Sequence, residues 1–269
     1  MDVSLISIVG DDLAGQELLH NLQLLGIDTA QINISPDGKT AEYLAIFDPS
    51  NELVMGVASM DIFDELTGDL ITQSKSHIVS SDWVILDCNL PSSAINKVIQ
   101  FKQQAEFHLA IDTVSISKAK RLPKDLSAID LLFTNRDEAA SILEEQQTIE
   151  NANIDQVATL LRERGAQGVV ITDGARGHIT SIGEQSFRTP AISKRIVNVS
   201  GAGDALMAGF LYGLRSGQSP VFASHAGAAA SSLTVESKYD VRPDLSEDLL
   251  NKCIMQIQEL VSDGFDENN

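Results

Sequence analysis

The chain has 269 residues, 43% of them hydrophobic and 21% charged, an ordinary globular composition with enough apolar material for a large core. Its 19 Lys and Arg against 38 Asp and Glu give a formal charge of −19, which argues against a nucleic-acid or anionic-membrane surface, since either needs a basic footprint. An anionic small ligand stays open, because backbone N–H groups alone can form a local anion site.

In chain order, "DVSLISIVG" reads as a strand and "DDLAGQELLHNLQLLG" as a helix closed by Gly26. "TAEYLAIFD" and "NELVMGVAS", separated by Pro49 and Ser50, read as an antiparallel pair. "DWVILDC" is a buried strand, and a helix follows from Pro91 to about Gln104 with proline in its first turn. "HLAIDTV" and "IDLLFT" are strands, "NRDEAASILEE" a helix, "NIDQVATLLRERG" a helix ending at Gly165, and "GVVITDG" the next strand. "ARGHITSIGEQSFRT" reads as a hairpin turning at Gly183. Three helices close the chain: one opening inside "VNVSGAGDALMAGF", then "SPVFASHAGAAASSLTVES", then "LSEDLLNKCIMQIQELV". Such alternation predicts a mostly parallel sheet with helices on both faces.

No apolar run approaches the ~18 residues of a membrane span, and no basic-then-apolar leader opens the chain. Cys88 and Cys253 match no metal spacing and read as reduced, packed thiols. The cytoplasm is therefore the expected location.

The stretch from Val197 to Phe210 carries the chemistry. A dinucleotide fingerprint needs a third glycine where Leu206 stands, and a P-loop needs a lysine the loop lacks. What remains is S-G-A-G-D, small residues that let N–H groups at a helix start face an anion. Asp204 would sit in the first turn. An acid there often only complements the helix dipole, but a solvated cap does not require small residues in front of it. An acid beside an anion hole is the layout for phosphoryl transfer. Two weaker motifs precede it. "TNRDEA" is N-x-x-E at a helix start, which on its own reads as a capping box between Asn135 and Glu138. "ITDGARG" is T-x-G-x-x-G after a strand, which on its own is a tight turn at Asp173 and Gly174.

"NVSGAGDALMAGF" resembles the C-terminal signature of the pfkB (ribokinase-like) carbohydrate and nucleoside kinases. The resemblance spans nearly the whole chain and implies a ribokinase-like three-layer α/β/α sandwich. It makes residues 1–261 one kinase domain, residues 40–58 a small β lid, and residues 262–269 an acidic tail. It implies ATP and Mg²⁺ as cofactors, Asp204 as catalytic base, and Gly201, Ala202 and Gly203 as the anion hole. Asn135 and Glu138 would position Mg²⁺ and phosphate, Glu138 through water. Thr172, Gly174 and Gly177 would line the ATP site.

"ILDCNL" followed by "AIDTVSISKAKRL" is similar to the pseudouridine kinase branch of that family, through Asp112, Thr113, Ser115 and Lys118. Lys118 could neutralise phosphate charge there; an isolated lysine is otherwise a solvated surface residue. Two departures stand out. Asn198 replaces an Asp that lies near a monovalent-cation site in many relatives, and a neutral amide weakens cation attraction. The family's opening strand and substrate-contacting helix have no counterpart before Met1, so a natural chain longer by several tens of residues is expected.

The expectation is ATP-dependent phosphorylation of a ribosyl-type hydroxyl, foremost the 5′-OH of pseudouridine. The alternatives are a kinase for another sugar or nucleoside, and a catalytically silent nucleotide-binding homologue. The expected partners are a small nucleoside or sugar, neither nucleic acid nor membrane, and a second copy paired through the lid.

Overall fold

The structure, a computed structural model, describes residues 2–47, 53–143, 153–193 and 195–262. It divides into two compact units, residues 1–109 with 120–123 and residues 110–119 with 124–269.

The first unit opens with β1 (Ser4–Gly10), α1 (Leu13–Leu24) and β2 (Asp28–Ser35), the strands parallel with Val9 opposite Ile34. Helix α1 starts where the Asp12 side chain accepts from Gly15 N–H at 2.8 Å. The same carboxylate accepts from the Thr40 hydroxyl at 2.6 Å and the Thr40 N–H at 2.9 Å. These bonds, the hydroxyl's first, hold the Asp12 carboxyl below its usual range. The Thr40 hydroxyl in turn accepts from Gly10 N–H at 3.0 Å, so the entry to the next strand is tied to the end of β1.

That strand, β3 (Glu42–Phe47), pairs antiparallel with β4 (Leu53–Ser59). Leu44 lies opposite Val57 and Ile46 opposite Met55, and all four are exposed. Because strand side chains alternate, these four share one apolar face. A 3₁₀ turn (Asp61–Glu65), α2 (Gly68–Gln73) and α3 (Lys75–Ser80) lead to β5 (Trp83–Asp87) and α4 (Ser92–Lys102). Ala94, Ile95, Val98 and Phe101 are the buried stripe of α4. Ile8, Ile62 and Leu66 make a small separate core.

Strand β6 (His108–Asp112) crosses into the second unit, followed by the short α5 (Ile116–Ala119), β7 (Leu131–Asn135), α6 (Arg136–Leu143), α7 (Ile154–Glu163) and β8 (Gly168–Thr172). Strands β6, β7 and β8 are parallel neighbours. The hairpin of β9 (His178–Ile182) and β10 (Gln185–Thr189) adds to β8 antiparallel, giving the order β10-β9-β8-β7-β6. Val169, Val170 and Ile171 are all fully buried. Since consecutive side chains point to opposite faces, both faces of this sheet are covered.

Three helices complete the unit: α8 (Ala202–Arg215), α9 (Pro220–Val235) and α10 (Glu247–Ser262). Small residues bring α8 and α9 together. A Cβ on Gly209 would overlap the Ala226 carbonyl, and one on Gly213 would lie 2.6 Å from Ala223 Cα. Phe210, fully buried on α8, meets Phe133 of β7 edge-on with ring centroids 5.6 Å apart.

The elements expected from the sequence are present, with the turn at Pro49 and Ser50, the end of the helix after Leu143 and residues 263–269 outside the described residues. The sequence reading passes over the short helical segments Asp61–Glu65, α2, α3 and α5, and also β2. Its polar and apolar residues alternate, but its burial is partial along most of its length, so the hydrophobic signal is weak. Both cysteines are buried free thiols, and among the described residues no helix is long and apolar enough to cross a membrane.

Candidate active site

Strands β6, β7 and β8 point the same way, so their carboxyl ends form one edge, where open α/β sheets bind ligands. Asp112, Asn135 and Thr172 are the last residues of the three strands. Asn135 and Thr172 are direct register partners. The N-x-x-E and T-x-G-x-x-G motifs, far apart in sequence, therefore meet.

Asn135 and Glu138 do form a capping box. Glu138 N–H donates to Asn135 Oδ1 at 2.9 Å, and Asn135 N–H donates to Glu138 Oε2 at 3.1 Å. Asn135 Nδ2 also donates to Glu138 Oε1 at 2.7 Å, and the Thr113 hydroxyl to Oε2 at 2.5 Å. Glu138 is buried, yet its carboxylate is satisfied. A carboxylate oxygen offers about two acceptor positions. Two donors fill Oε2, and one donor leaves a single position on Oε1. That donor set does not suit direct chelation of Mg²⁺ by both oxygens. It does suit one hydrogen bond from a water of the ion's hydration shell, a common arrangement for an ion that keeps several waters. Among the described residues no group of three or more His, Cys, Asp or Glu could hold a metal.

At the end of β8 the sequence suggests a tight turn. The structure has a 3₁₀ turn, Gly174–Arg176, in which Asp173 N–H donates to Gly177 O at 2.8 Å. Arg176 grips Asp173 through two bonds of 2.7 and 2.6 Å, the main cause holding that carboxyl below its usual range. Gly177 has φ +88°, and a Cβ there would overlap Thr189 O. Gly174, by contrast, has no atom within 4 Å of a Cβ position. The Asp173–Arg176 pair is a feature sequence reasoning missed; the i, i+3 spacing of opposite charges was its only signal.

The glycine loop is built against the turn after α9. Val197 and Asn198 N–H groups both donate to Val235 O, at 2.8 and 3.2 Å. Asn198 Oδ1 accepts from Ser200 N–H at 2.9 Å, and its Nδ2 donates to Asp240 Oδ1 at 2.8 Å. Asn198 thus spends both ends of its amide on holding the loop. Gly201 then turns the chain at φ +74°, with the Asp240 carbonyl where a Cβ would go. Ala202 begins α8, and Asp204 is exposed in its first turn. Gly203 faces open space, with nothing within 4 Å of a Cβ position. First-turn N–H groups have no acceptor within their own helix; Ala202 N–H reaches back to Val199 O in a long bond of 3.4 Å, so this end offers donors held at most weakly, a positive dipole end and room.

The predicted residues thus fall into two groups. Asp112, Asn135, Glu138, Thr172, Gly174 and Gly177 lie at the strand ends. Gly201, Ala202, Gly203 and Asp204 lie at the start of α8, which packs on β7 through Phe210 and Phe133. Lys118 is half-buried on α5, its N–H donating to Ser115 Oγ at 3.4 Å.

A model of the pfkB family of carbohydrate kinases matches residues 1–247. The chain belongs to the pfkB family. Its relatives include kinases of sugars and nucleosides, and the chain is an ATP-dependent kinase of that kind. It is 28% identical over 247 residues to pseudouridine kinase of Escherichia coli, covering 90% of this chain and 77% of that protein. With ribokinase of Haemophilus influenzae it shares 25% identity over 239 residues, 88% of this chain and 76% of the relative. Among solved structures, a carbohydrate kinase from Agrobacterium tumefaciens superposes with a TM-score of 0.81 at 26% identity, over 96% of this chain and 81% of that one. The fold is ribokinase-like α/β, with a mostly parallel sheet and flanking helices.

Proposed function

We propose that this pfkB-family chain transfers the γ-phosphoryl group of ATP, with Mg²⁺, to a primary hydroxyl of a ribosyl compound, and that its acceptor is the 5′-OH of pseudouridine. The start of α8 carries the reading: Gly201 in a conformation suited to glycine, open space at Gly203, and an exposed Asp204 one residue later. Asp204 takes the hydroxyl proton as the acceptor oxygen bonds to phosphorus and the bond from phosphorus to the ADP oxygen breaks. The N–H groups of Gly201, Ala202 and Gly203 hold the charge of the transferring group. Asn135, Thr172, Gly174 and Gly177 hold the nucleotide phosphates, and Asp112 and Lys118 flank the acceptor and its phosphate. Mg²⁺, when bound, neutralises phosphate charge, and Glu138 Oε1 orients one of its waters. The similarity to pseudouridine kinase supports the choice of acceptor, as does the segment from Asp112 to Lys118. The reading includes a cytoplasmic location and a homodimer through β3 and β4.

The deciding experiment is ATP-dependent phosphorylation of pseudouridine, uridine, adenosine, ribose and fructose, followed by mass spectrometry. A monophosphate from pseudouridine alone is the expected result. Product from ribose or adenosine instead would keep the chemistry and move the acceptor. ATP binding with no product from any acceptor would overturn the reading in favour of a silent nucleotide-binding homologue.

A further inference from the structure

Between β6 and α5 the backbone adopts a conformation that β-branched residues avoid. Val114 has φ +64°, the one non-glycine residue with positive φ among the described residues. Ser115 N–H donates to Thr113 O at 2.7 Å, closing a three-residue turn around it. Such a γ-turn with positive central φ is rare and strained. Strain of this kind persists only where the surroundings over-determine it, and it clusters at functional sites.

The surroundings here are specific. Asp112 Oδ1 accepts from Val114 N–H at 2.7 Å. The Thr113 side chain is fully buried, its hydroxyl 2.5 Å from Glu138 Oε2, 3.0 Å from Thr134 Oγ1 and 3.3 Å from Phe133 O. A hydroxyl has one proton to give, and the shortest contact with the strongest acceptor, the carboxylate, takes it. Thr134 can then donate to Thr113 Oγ1 or to Asn135 O, the latter at 3.2 Å. Thr113 is therefore a donor aimed at one oxygen of Glu138, on a turn whose strain the surrounding hydrogen bonds outweigh.

We propose that Thr113 is a positioning residue for Glu138. Its hydroxyl saturates Oε2 together with Asn135 N–H, and so reserves the remaining acceptor position on Oε1 for a water ligand of the nucleotide-bound Mg²⁺. This rests on the kinase reading above, in which Glu138 acts on the ion through water. A hydroxyl that only satisfies a buried carboxylate would affect stability and leave metal uptake unchanged.

The test measures Mn²⁺ uptake by the full chain with a non-hydrolysable ATP analogue, read by electron paramagnetic resonance, together with thermal melting. Thr113→Val should raise the half-saturating Mn²⁺ concentration several-fold, below the roughly 10- to 100-fold range for residues that contact a direct ligand, since Thr113 acts one step further out. Thr113→Ser, which keeps the hydroxyl, should restore most of that loss. Val114→Gly relieves the strain at positive φ and keeps the hydroxyl in place; it should melt within a few degrees of the parent and leave the Mn²⁺ midpoint unchanged. An unchanged midpoint in a folded Thr113→Val overturns the proposal, whatever happens to its melting. If Thr113→Val does not fold, an unchanged midpoint in a folded Thr113→Ala overturns it instead. Parent protein that takes up no more Mn²⁺ than the nucleotide does alone overturns the kinase reading itself.

Discussion

A carboxylate in the first turn of a helix usually just complements the dipole, and what sets Asp204 apart is the pair of glycines before it. Gly201 and Gly203 are both glycine for different reasons, and substitution separates them. Gly201 has positive φ and the Asp240 carbonyl in the place of a Cβ. Gly201→Ala should therefore cost about 1–3 kcal/mol of stability through backbone strain, visible as a lower midpoint in urea. Gly203 is unobstructed, so Gly203→Ala should fold at least as well, by up to about 1 kcal/mol from helix propensity. Its methyl group would enter the space assigned to the phosphoryl group, so turnover should fall in a protein that is no less stable. Asp204→Asn should lower kcat by about 10²–10⁴-fold, the range for a lost general base, while calorimetry finds ATP affinity nearly unchanged. Parent-like turnover would remove Asp204 from the role of base.

At the scale of elements, the pairing of α8 with α9 fixes the glycine loop, because that loop is anchored on the turn that ends α9. The pairing depends on backbone approach at Gly209 and Gly213. Gly209→Val should cost roughly 3 kcal/mol or more, at or above the top of the overpacking range, and should lower activity through the displaced loop. Beneath α9 lies a buried polar cluster. His178 Nε2 is 2.7 Å from Ser224 Oγ, which also meets the hydroxyls of Thr189 at 2.7 Å and Thr180 at 3.3 Å. Burial, reinforced by His225, pushes His178 down to about 4 from the ordinary 6.5. Below pH 6.5 the unfolded chain gains a proton that the folded chain refuses, so stability is complete above pH 6.5 and drains away as pH falls towards 4. A shift of that size corresponds to about 3 kcal/mol. Urea titrations at pH 7 and pH 4.5 should show the loss, and His178→Gln should reduce it.

For the whole molecule, one exposed apolar surface among the described residues is the face of β3 and β4. Leu44, Ile46, Met55 and Val57 are 61, 45, 55 and 52% exposed, on a two-stranded sheet that would be marginal alone. In the proposed homodimer a second copy covers that face. Leu44→Glu combined with Val57→Glu should shift the chain to monomer in sedimentation, with a melting temperature that no longer rises with protein concentration. A parent protein that is monomeric at tens of micromolar would remove the dimer from the reading.

Local chemistry was legible in the sequence. Period and punctuation marked the longer helices and most strands, because apolar spacing and capping residues act over a few positions; the short helices α2, α3 and α5 carry too few turns for a period to show. The S-G-A-G-D stretch was legible as small residues at a helix start, and α8 does begin there at Ala202. β2 was not legible, since its partial burial leaves little hydrophobic contrast. The sequence offered Asn135 and Glu138 as a capping box or as site residues, and the box is there, but nothing in a linear reading joins Asn135 to Thr172. That pairing follows from strand register. The Thr113 hydroxyl on Glu138 spans 25 positions, and the strain at Val114 is a property of backbone angles that no residue type reveals. Residue identity and short-range spacing therefore determined the elements and the class of chemistry. Tertiary structure decided which of those residues share a carboxylate, because burial forces every polar group to find a partner and only the folded chain says which partners are within reach.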